Sequence, residues 1–424
     1  MNGIKVARNR FKILQITAVP FPPSIRAVKE GLSLLEAGYQ MAVISPPRSG
    51  RPEREVWRGI SIYRPAVLGG AARTLDKLMY QAAFWSPAWV RAIRKVILEY
   101  RPDVLHVHDV WLGRSALLAA HEQKVVLDLH ENMPAAVVEY LKGYRGLIKW
   151  FNAVFKSRGR VARYERSLLR KADMALVVVE DALRRVTSEY PGLAAGKTVN
   201  VENLESKDFL NEKATAREVI GQDHFSVLYI GGFGPHRGID TLIAAMKHVK
   251  AWGLNVRLHL VGAQECAYLQ MLADLIKRLD VGSHVSITGW VPFESVLAYI
   301  RQASVGAVPH HSNSHTNNTI PHKLFQYMIA ATPVLVSTSP PLARTVEAAG
   351  AGMVFMAGDD LDCAAKIRDM YNAPDLLKKL ASNGFKYVME DGHNWEEESA
   401  PALVAAYDGL LQIAPGSVEH KLAP

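Results

Sequence analysis

The sequence has little cysteine, no long apolar run and no visible short repeat. Its two cysteines, Cys266 and Cys363, lie far apart and match no metal or redox spacing. This argues against a disulfide scaffold and a zinc site, and it predicts a reducing, cytoplasmic setting. No stretch approaches the roughly 18 apolar residues that a membrane-spanning helix requires, so we expect any membrane contact to be peripheral. The lack of a repeat argues against a tandem array.

The N-terminus resembles a signal peptide only superficially. Several basic residues precede the apolar run ILQITAV, but the run ends after seven residues, before Pro20. No small-residue cleavage pattern follows promptly. We therefore predict that this run is the first buried strand.

Length and charge indicate an ordinary globular chain with one unusual segment. The 424 residues are 49% hydrophobic, which is enough for two or three domains with full cores. The net charge is +9, and the excess is concentrated between residues 142 and 171, where aromatic residues such as Trp150 and Phe151 interrupt the basic ones. Three interpretations remain open for this segment: a solvated helix face, a helix lying on an anionic membrane, or a nucleic-acid patch. The apolar side formed by its aromatic residues favours the membrane surface.

Short apolar runs alternate with longer segments of helical period, which predicts an α/β fold with parallel sheets. The predicted strands of the first half are 12–17, 40–45, 103–108, 124–129, 174–179 and 197–202. Those of the second half are 226–231, 256–262, 284–289, 304–309, 333–337 and 352–355. A polar linker at about 206–223 separates two Rossmann-like domains, predicted at 1–205 and 206–399, with a C-terminal helix at about 400–424 returning to the first domain. Ligands of such sheets bind beyond the carboxyl ends of the strands, so we expect a cleft where the two domains face each other.

Two segments of the second half predict a phosphate site. In YIGGFGPHRG, Gly231 and Gly232 end a strand, and a helix is expected to open near Arg237. Glycines allow close approach of the backbone, and helix N-termini attract anions. In TIPHKLFQYM, Pro321 predicts a helix start that places His322 and Lys323 at its positive end. The alternatives are a tight turn with a surface arginine and a buried helix with a polar entry.

Histidines and acids follow two predicted strands of the first half. His108 and Asp109 end one strand, and His130 and Glu131 end another. A single histidine at a strand end is usually structural, but two such pairs favour sugar or proton handling. A metal site at His310, His311 and His315 is not expected, because no nearby carboxylate completes a ligand set.

Taken together, these segments resemble the family 4 glycosyltransferases. The resemblance rests on HVHD, DLHE, GGFGPHRG, TIPHKLFQYM, PVLVS and PPLAR, and it covers nearly the whole chain, with PHKLFQYM typical of one bacterial subgroup. It implies the two-domain GT-B architecture and a retaining transfer of sugar from a nucleotide diphosphate sugar. In the wider family two glutamates contact the donor sugar and ribose, and an arginine and a lysine contact the diphosphate. Amides replace both glutamates here, as Asn318 and Gln326, and the basic pair falls on Gly232 and Arg237.

The resemblance also implies roles for individual residues, no metal and no cofactor. The catalytic residues would be His130, Arg237 and Lys323. The donor-binding residues would be Gly231, Gly232, Phe233, Asn318, Thr319, His322 and Gln326. The acceptor side would include His108, Asp109 and Glu131.

The resulting prediction is a cytoplasmic glycosyltransferase, peripheral on the inner face of the membrane. It would use a UDP or GDP sugar and a lipid-linked or cell-surface glycan acceptor, with residues 142–171 against an anionic membrane. Two alternatives with the same fold remain: a nucleotide-sugar-binding regulator without turnover, and a nucleotide-sugar epimerase. A nucleic-acid partner is not expected.

Overall fold

The chain forms two compact units in a computed structural model that describes residues 7–22, 24–65, 76, 79–144, 146–193, 196–211, 219–221 and 223–413. The first unit comprises Met1–Pro134, Phe155–Glu202 and Glu398–Pro424, and the second comprises Ala135–Val154 and Asn203–Glu397. These units differ from the predicted domain ranges mainly in residues 135–154, which group with the second unit, and by two or three residues at the boundaries near 205 and 399. One reason is that the Tyr140 ring packs edge-on against His236 and His315, at centroid distances of 5.4 and 5.7 Å.

The first unit is built on an eight-stranded sheet in the order β3-β4-β2-β1-β5-β6-β7-β8. Its strands are β1 Lys12–Ile16, β2 Gln40–Ile44, β3 Arg54–Trp57, β4 Ile60–Tyr63, β5 Val104–His108, β6 Lys124–Leu129, β7 Met174–Val177 and β8 Thr198–Asn200. The predicted N-terminal strand is confirmed as β1, and residues Ile13–Ile16 of it are buried. Strand order reverses direction between β1 and β5, and ligands of open α/β sheets bind at such a switch point.

The first unit's helices include α1 Ile25–Ala37, α2 Pro87–Tyr100, α3 Gly113–Ala119, α6 Arg158–Lys171 and α7 Glu180–Glu189. Two helices between α3 and α6, α4 Met133–Leu141 and α5 Gly146–Phe155, lie mostly in the second unit, which takes residues 135–154. Among the described residues, none of the helices combines the length and the hydropathy that crossing a bilayer requires.

The sequence did not predict the hairpin of β3 and β4. These strands pair antiparallel, while β4 joins β2 in parallel. Each has only four residues, and β3 is exposed or half-buried throughout. An edge strand of this kind lacks the continuous apolar run that marks a buried parallel strand.

The second unit is built on a six-stranded parallel sheet in the order β11-β10-β9-β12-β13-β14. Its strands are β9 Phe225–Ile230, β10 Val256–Ala263, β11 Val285–Gly289, β12 Val305–Val308, β13 Val334–Ser337 and β14 Gly352–Phe355. All six predicted strands are present. The switch point lies between β9 and β12, where the order turns from descending to ascending.

The second unit's helices include a fully buried one after β12. They are α8 Ile239–Ala251, α9 Ala267–Arg278, α10 Val296–Gln302, α11 His322–Ile329, α12 Pro340–Ala349, α13 Asp360–Tyr371 and α14 Pro374–Met389. In α11 every residue from Lys323 to Ile329 is buried. An apolar helix that is buried all round holds its first turn in a fixed position.

The last helix, α15 (Ala400–Leu410), returns to the first unit. Tyr39 donates a hydrogen bond to Asp408 (Oη to Oδ1, 2.7 Å), and Arg8 donates to the same carboxylate (Nε to Oδ1, 2.8 Å). Trp395 precedes this helix and lies in a separate turn of the second unit. The last ten residues, for which we expect a frayed tail, lie outside the described part of the chain.

Candidate active site

In the first unit, the predicted histidines and acids meet at the carboxyl ends of β5 and β6. His130 Nε2 lies 2.5 Å from Asp128 Oδ2, and His108 Nδ1 lies 3.2 Å from the same oxygen. Asp109 Oδ2 lies 3.5 Å from the other ring nitrogen of His130. The side chain of His130 is about a quarter exposed (24%), whereas Asp128 is completely buried. His130 is therefore the solvent-facing end of a buried network.

Two members of this network come from α1, which the sequence did not associate with the strand ends. The Arg26 guanidinium forms two bonds of 2.9 Å with the Asp128 carboxylate. It also forms an ion pair with Glu30 (Nη2 to Oε1, 2.9 Å), and Glu30 lies 3.1 Å from His106 Nε2. Asp128 and Glu30 therefore hold the Arg26 side chain in the interior.

The fixed charges set the protonation of this cluster. Burial alone would lower the pKa of His106, but Glu30 and Asp128 raise it to about 9. Burial likewise opposes the charge of His130, while Asp128 and Asp109 raise its pKa to about 9. Burial and the positive charge of His106 lower the pKa of His108 to about 4. His130 is therefore a cation at neutral pH, and His108 is a neutral partner behind it.

The same cluster offers atoms of metal-ligating type, but its charges do not fit a metal. Ligand atoms of Glu30, His106, His108 and Asp128 lie within 4.8 Å of one another. Arg26 already bonds both carboxylates, and metal-ligating histidine must give up its proton. A divalent cation would have to displace the guanidinium from its buried partners.

In the second unit, the glycine loop after β9 passes directly over the first turn of α11. A Cβ added at Gly231, where φ is +135°, would lie 2.9 Å from Lys323 Nζ. A Cβ at Gly238 would lie 1.9 Å from the Pro309 carbonyl oxygen. Only glycine fits these two close approaches. The loop after β9 and the loop after β12 therefore pack backbone against backbone at the switch point.

Lys323 and Arg237 are the cations of this region. The Lys323 ammonium lies 3.7 Å from the centre of the Tyr229 ring, and its nitrogen has no hydrogen-bond partner among the described residues. Arg237 ends the 3-10 turn Pro235–Arg237, and α8 begins two residues later, so the prediction that a helix opens near Arg237 is confirmed. Neither side chain forms an ion pair with a carboxylate in the described part of the chain. Both cations remain available to an anionic ligand.

The predicted donor-side residues occupy the same two loops. Gly232 accepts a hydrogen bond from Tyr229 (Oη to carbonyl O, 2.6 Å), and the Phe233 ring packs edge-on against that tyrosine. Thr319 follows the 3-10 turn Thr316–Asn318, and His322 is the first residue of α11. Pro321 lies just before the helix and caps it, in place of the predicted first position.

The two amides make different contacts. Asn318 donates to the Ser314 carbonyl (Nδ2 to O, 2.8 Å). Gln326 is buried and donates to the Glu205 carboxylate (Nε2 to Oε2, 2.8 Å). A carboxylate therefore lies beside position 326 although the residue there is an amide. No local pattern indicates this contact, because 121 positions separate the two residues.

Two histidines close to Lys323 were not assigned to the donor site: His236 was not considered, and His310 was considered only as a metal ligand. His236 and His310 are 5% and 1% exposed, and none of their ring nitrogens has a hydrogen-bond partner among the described residues. The only local signal was their position next to residues already singled out. In the first unit, the sequence pattern was more informative. His106 and His108 are two positions apart in a fully buried strand, so both side chains lie on the same face of the sheet.

Family models match both halves of the chain. A model described as "Glycosyl transferase 4-like domain" matches residues 25–203, and one described as "Glycosyl transferases group 1" matches residues 211–387. A phosphatidyl-myo-inositol mannosyltransferase of Mycolicibacterium smegmatis is 24% identical over 339 residues, 79% of this chain and 77% of that protein. An uncharacterized glycosyltransferase of Methanocaldococcus jannaschii is 23% identical over 46% of this chain, and the match spans only about half (52%) of that relative.

Solved structures show the same fold. Sucrose-phosphate synthase from Thermosynechococcus elongatus superposes with a TM-score of 0.77 at 19% identity, covering 96% of this chain and 100% of that one. The Anabaena protein HepE, solved in complex with UDP-glucose, superposes with a TM-score of 0.69 at 14% identity, covering 95% and 100%. These identities establish the fold alone, while the family models cover most of the chain. The chain therefore belongs to the family 4 glycosyltransferases, enzymes of GT-B fold.

Proposed function

We propose that this glycosyltransferase takes its sugar from a nucleotide diphosphate sugar, UDP- or GDP-linked, bound by the second unit. One observation carries the proposal: Lys323 and Arg237 lie at the β9/β12 switch point without a carboxylate partner in the described chain. Breaking the bond from the anomeric carbon to phosphate leaves a nucleoside diphosphate with added negative charge. Preorganised cations and helix N-termini at that position stabilise the leaving group. The complex of HepE with UDP-glucose is consistent with such a donor.

We further propose that transfer proceeds with retention and without a metal. The acceptor hydroxyl would attack from the face of the leaving group, and a phosphate oxygen would take its proton. His130 would contact the donor sugar, as the resemblance implies, held in place by Asp128 and Asp109. His108, Asp109 and Glu131 would belong to the acceptor side.

The first experiment detects UDP or GDP released from a panel of nucleotide sugars by mass spectrometry, with and without membrane lipid extract. Release that requires the extract and falls strongly in Arg237→Ala supports transfer to a lipid-linked or cell-surface glycan acceptor. Arg257→Ala is the matched control, because Arg257 lies on an exposed position of β10 away from both loops. Nucleotide binding with every donor left intact would favour the regulator without turnover. Recovery of a donor with altered sugar stereochemistry would favour the epimerase.

The exposed surface of α5 supports a membrane-associated acceptor. Leu147 and Trp150 are 85% and 65% exposed, and Phe151 and Val154 are 37% and 46% exposed. Lys149 lies exposed between them. Apolar side chains in water next to basic ones suit the interface of an anionic bilayer. We therefore propose that the protein lies peripherally on the cytoplasmic face of the membrane through this helix.

Two of the basic residues beyond α5 are less suited to membrane contact than the sequence suggested. The Lys156 ammonium packs over the Trp111 ring at 5.2 Å. Arg160 packs over Phe84 at 5.3 Å and donates to the Ala82 carbonyl. Arg145, also in the basic segment, lies outside the described residues. A membrane test is therefore better aimed at the apolar face.

Co-sedimentation with vesicles of phosphatidylglycerol and phosphatidylcholine tests this surface. Leu147→Ser with Trp150→Ser is expected to abolish binding, whereas Leu98→Ser, which changes a 78% exposed leucine of α2, is expected to leave it intact. Equal binding by all three proteins would refute the membrane role of α5. Preference for DNA over vesicles at equal salt would revive the nucleic-acid hypothesis.

A further inference from the structure

Several buried side-chain nitrogens without hydrogen-bond partners among the described residues lie at the β9/β12 switch point. His236 lies in the turn before α8, His310 follows β12, and Lys323 opens α11. The ring nitrogens of both histidines and the lysine nitrogen are buried without a hydrogen-bond partner in the described chain. Native proteins rarely leave buried polar groups unpaired, because each costs free energy that a partner would recover. Three such groups at one switch point indicate a ligand rich in acceptor oxygens.

The groups that face these histidines are mostly basic. The His236 ring lies 4.8 Å from the His315 ring and packs against Tyr140 of α4. Besides burial, the charges of Arg237, Lys323 and His315 lower the pKa of both His236 and His310. The charge of His311 also lowers the pKa of His236.

The nearest carboxylates are already engaged. Asp240 of α8 lies 3.0 Å from the ring of His311, and Glu139 of α4 binds Lys142. The bond to Asp240 raises the pKa of His311, and among the smaller effects Lys142 lowers that pKa while Glu139 raises it. Neither of these two carboxylates is therefore free to compensate a second cation inside the cluster.

This arrangement keeps the ligand-free cluster largely uncharged. Burial first, and then the neighbouring cations, lower the pKa of His236 to about 2 and that of His310 well below its usual range. Burial and Arg237 also hold the pKa of Lys323 well below the ordinary lysine value. A diphosphate brings negative charge, and a nearby negative charge favours the protonated form of a base. The same nitrogens that reject protons in the free protein should accept them in the complex.

We propose that the nucleotide diphosphate binds this cluster together with at least one proton, which His236 or His310 takes up to become a cationic donor. The inference rests on the proposed donor site, and it adds that donor binding weakens as the solution becomes more alkaline. The proton comes from solvent on binding and returns to it when the nucleoside diphosphate leaves. No covalent bond changes in this step.

Isothermal titration calorimetry of the full chain with nucleoside diphosphates tests the proposal. UDP, GDP, ADP and dTDP are titrated at pH 8.0, where the terminal phosphate is already ionised because its second pKa is about 6. Each titration is repeated in buffers with different ionisation enthalpies, and the slope of observed heat against ionisation enthalpy gives the protons taken up. We expect uptake of at least about half a proton, and a dissociation constant that rises up to about tenfold per pH unit. Binding with zero slope and a flat pH dependence would overturn the proton coupling while leaving the donor site intact.

Three variants locate the proton. His236→Gln and His310→Gln keep a polar side chain that cannot gain a proton, so the double variant should bind more weakly and lose the uptake. Lys323→Arg carries a permanent charge and should keep it. Loss of uptake in Lys323→Arg alone would overturn the assignment to histidine. If the double variant does not fold by circular dichroism, the wild-type pH dependence and the two single variants decide. Absence of binding by every nucleoside diphosphate would contradict the proposed function itself.

Discussion

Removal of Arg26 should strongly destabilise the first unit. Its guanidinium is 5% exposed and bonds Asp128 and Glu30, which are both fully buried. Arg26→Met keeps much of the side-chain volume but leaves two buried carboxylates without their cation. Breaking a buried ion pair by removing one partner costs about 3–5 kcal/mol. At about 1.4 kcal/mol per factor of ten, the opening equilibrium of the first unit should rise about 150- to 5000-fold.

Hydrogen exchange followed by mass spectrometry measures this cost where it arises. Peptides covering β5 and β6 should exchange faster in Arg26→Met by that factor, whereas a β9 peptide serves as the internal control in the second unit. Arg54→Met is the matched surface variant, because its ion pair with Glu99 is exposed, and such pairs contribute only about 0–1 kcal/mol. Exchange within about threefold of wild type in β5 and β6 would refute the assigned role of the buried pair. Equal acceleration in β9 would show that the effect is not confined to the first unit.

The stability difference between wild type and Arg26→Met should also depend on pH in a defined direction. Burial opposes the charge of Asp128, but Arg26 and His130 hold its pKa well below the ordinary value. A depressed carboxylate pKa contributes stability above the unfolded value of about 4, and that stability is lost as the pH falls. In Arg26→Met the buried carboxylates regain protons more readily. The difference between wild type and variant should therefore narrow on acidification from pH 7.5 towards 5, and a constant difference would contradict it.

Three further predictions concern single positions. Gln326→Glu places a second buried carboxylate next to Glu205, which lies 2.8 Å from the present amide. The thermal midpoint of unfolding should therefore fall at pH 7.5 and recover at pH 5, where one proton bridges the two carboxylates. A midpoint shift that does not depend on pH would contradict this prediction. Gly232→Arg should raise nucleotide affinity several-fold at low salt, since a Cβ there meets nothing within 4 Å, whereas Gly282→Arg, equally open, should not. Against the effect of burial, nearby carboxylates raise the pKa of His130 to about 9, so its contribution to stability is full below about pH 6.5 and is lost as the pH rises through about 9. Histidine NMR titration reads that pKa directly, and a value near 6.5 would refute it.

Local patterns predicted the sheets and the positions of the loops after β9 and β12 well. Buried parallel strands are continuous apolar runs, so all six strands of the second sheet could be identified from the sequence. The glycine loop and the start of α11 were found because their chemistry lies within a few consecutive residues. The β3/β4 hairpin was missed because its edge strands are short and only partly buried.

The partners inside the first unit could not be predicted in the same way. Arg26 and Asp128 are 102 positions apart, and no local pattern distinguishes a buried arginine from an exposed one. His106 was the residue from which a buried polar network could have been predicted. A histidine inside a strand with no exposed residue needs a polar partner. Its partners, Glu30 and Tyr407, come from the first and last helices of the unit and become neighbours only on folding.

The two switch points differ in how their buried charges are balanced, and this difference indicates where the anionic ligand belongs. In the first unit each cation has a carboxylate within the same network: Arg26 has Asp128 and Glu30, and His130 has Asp128 and Asp109. In the second unit Lys323 has only the face of a tyrosine ring, and in the described chain no carboxylate pairs with it. A network that neutralises itself gains little from an added anion, whereas buried basic groups without a carboxylate partner gain a great deal. The diphosphate should therefore bind the second unit.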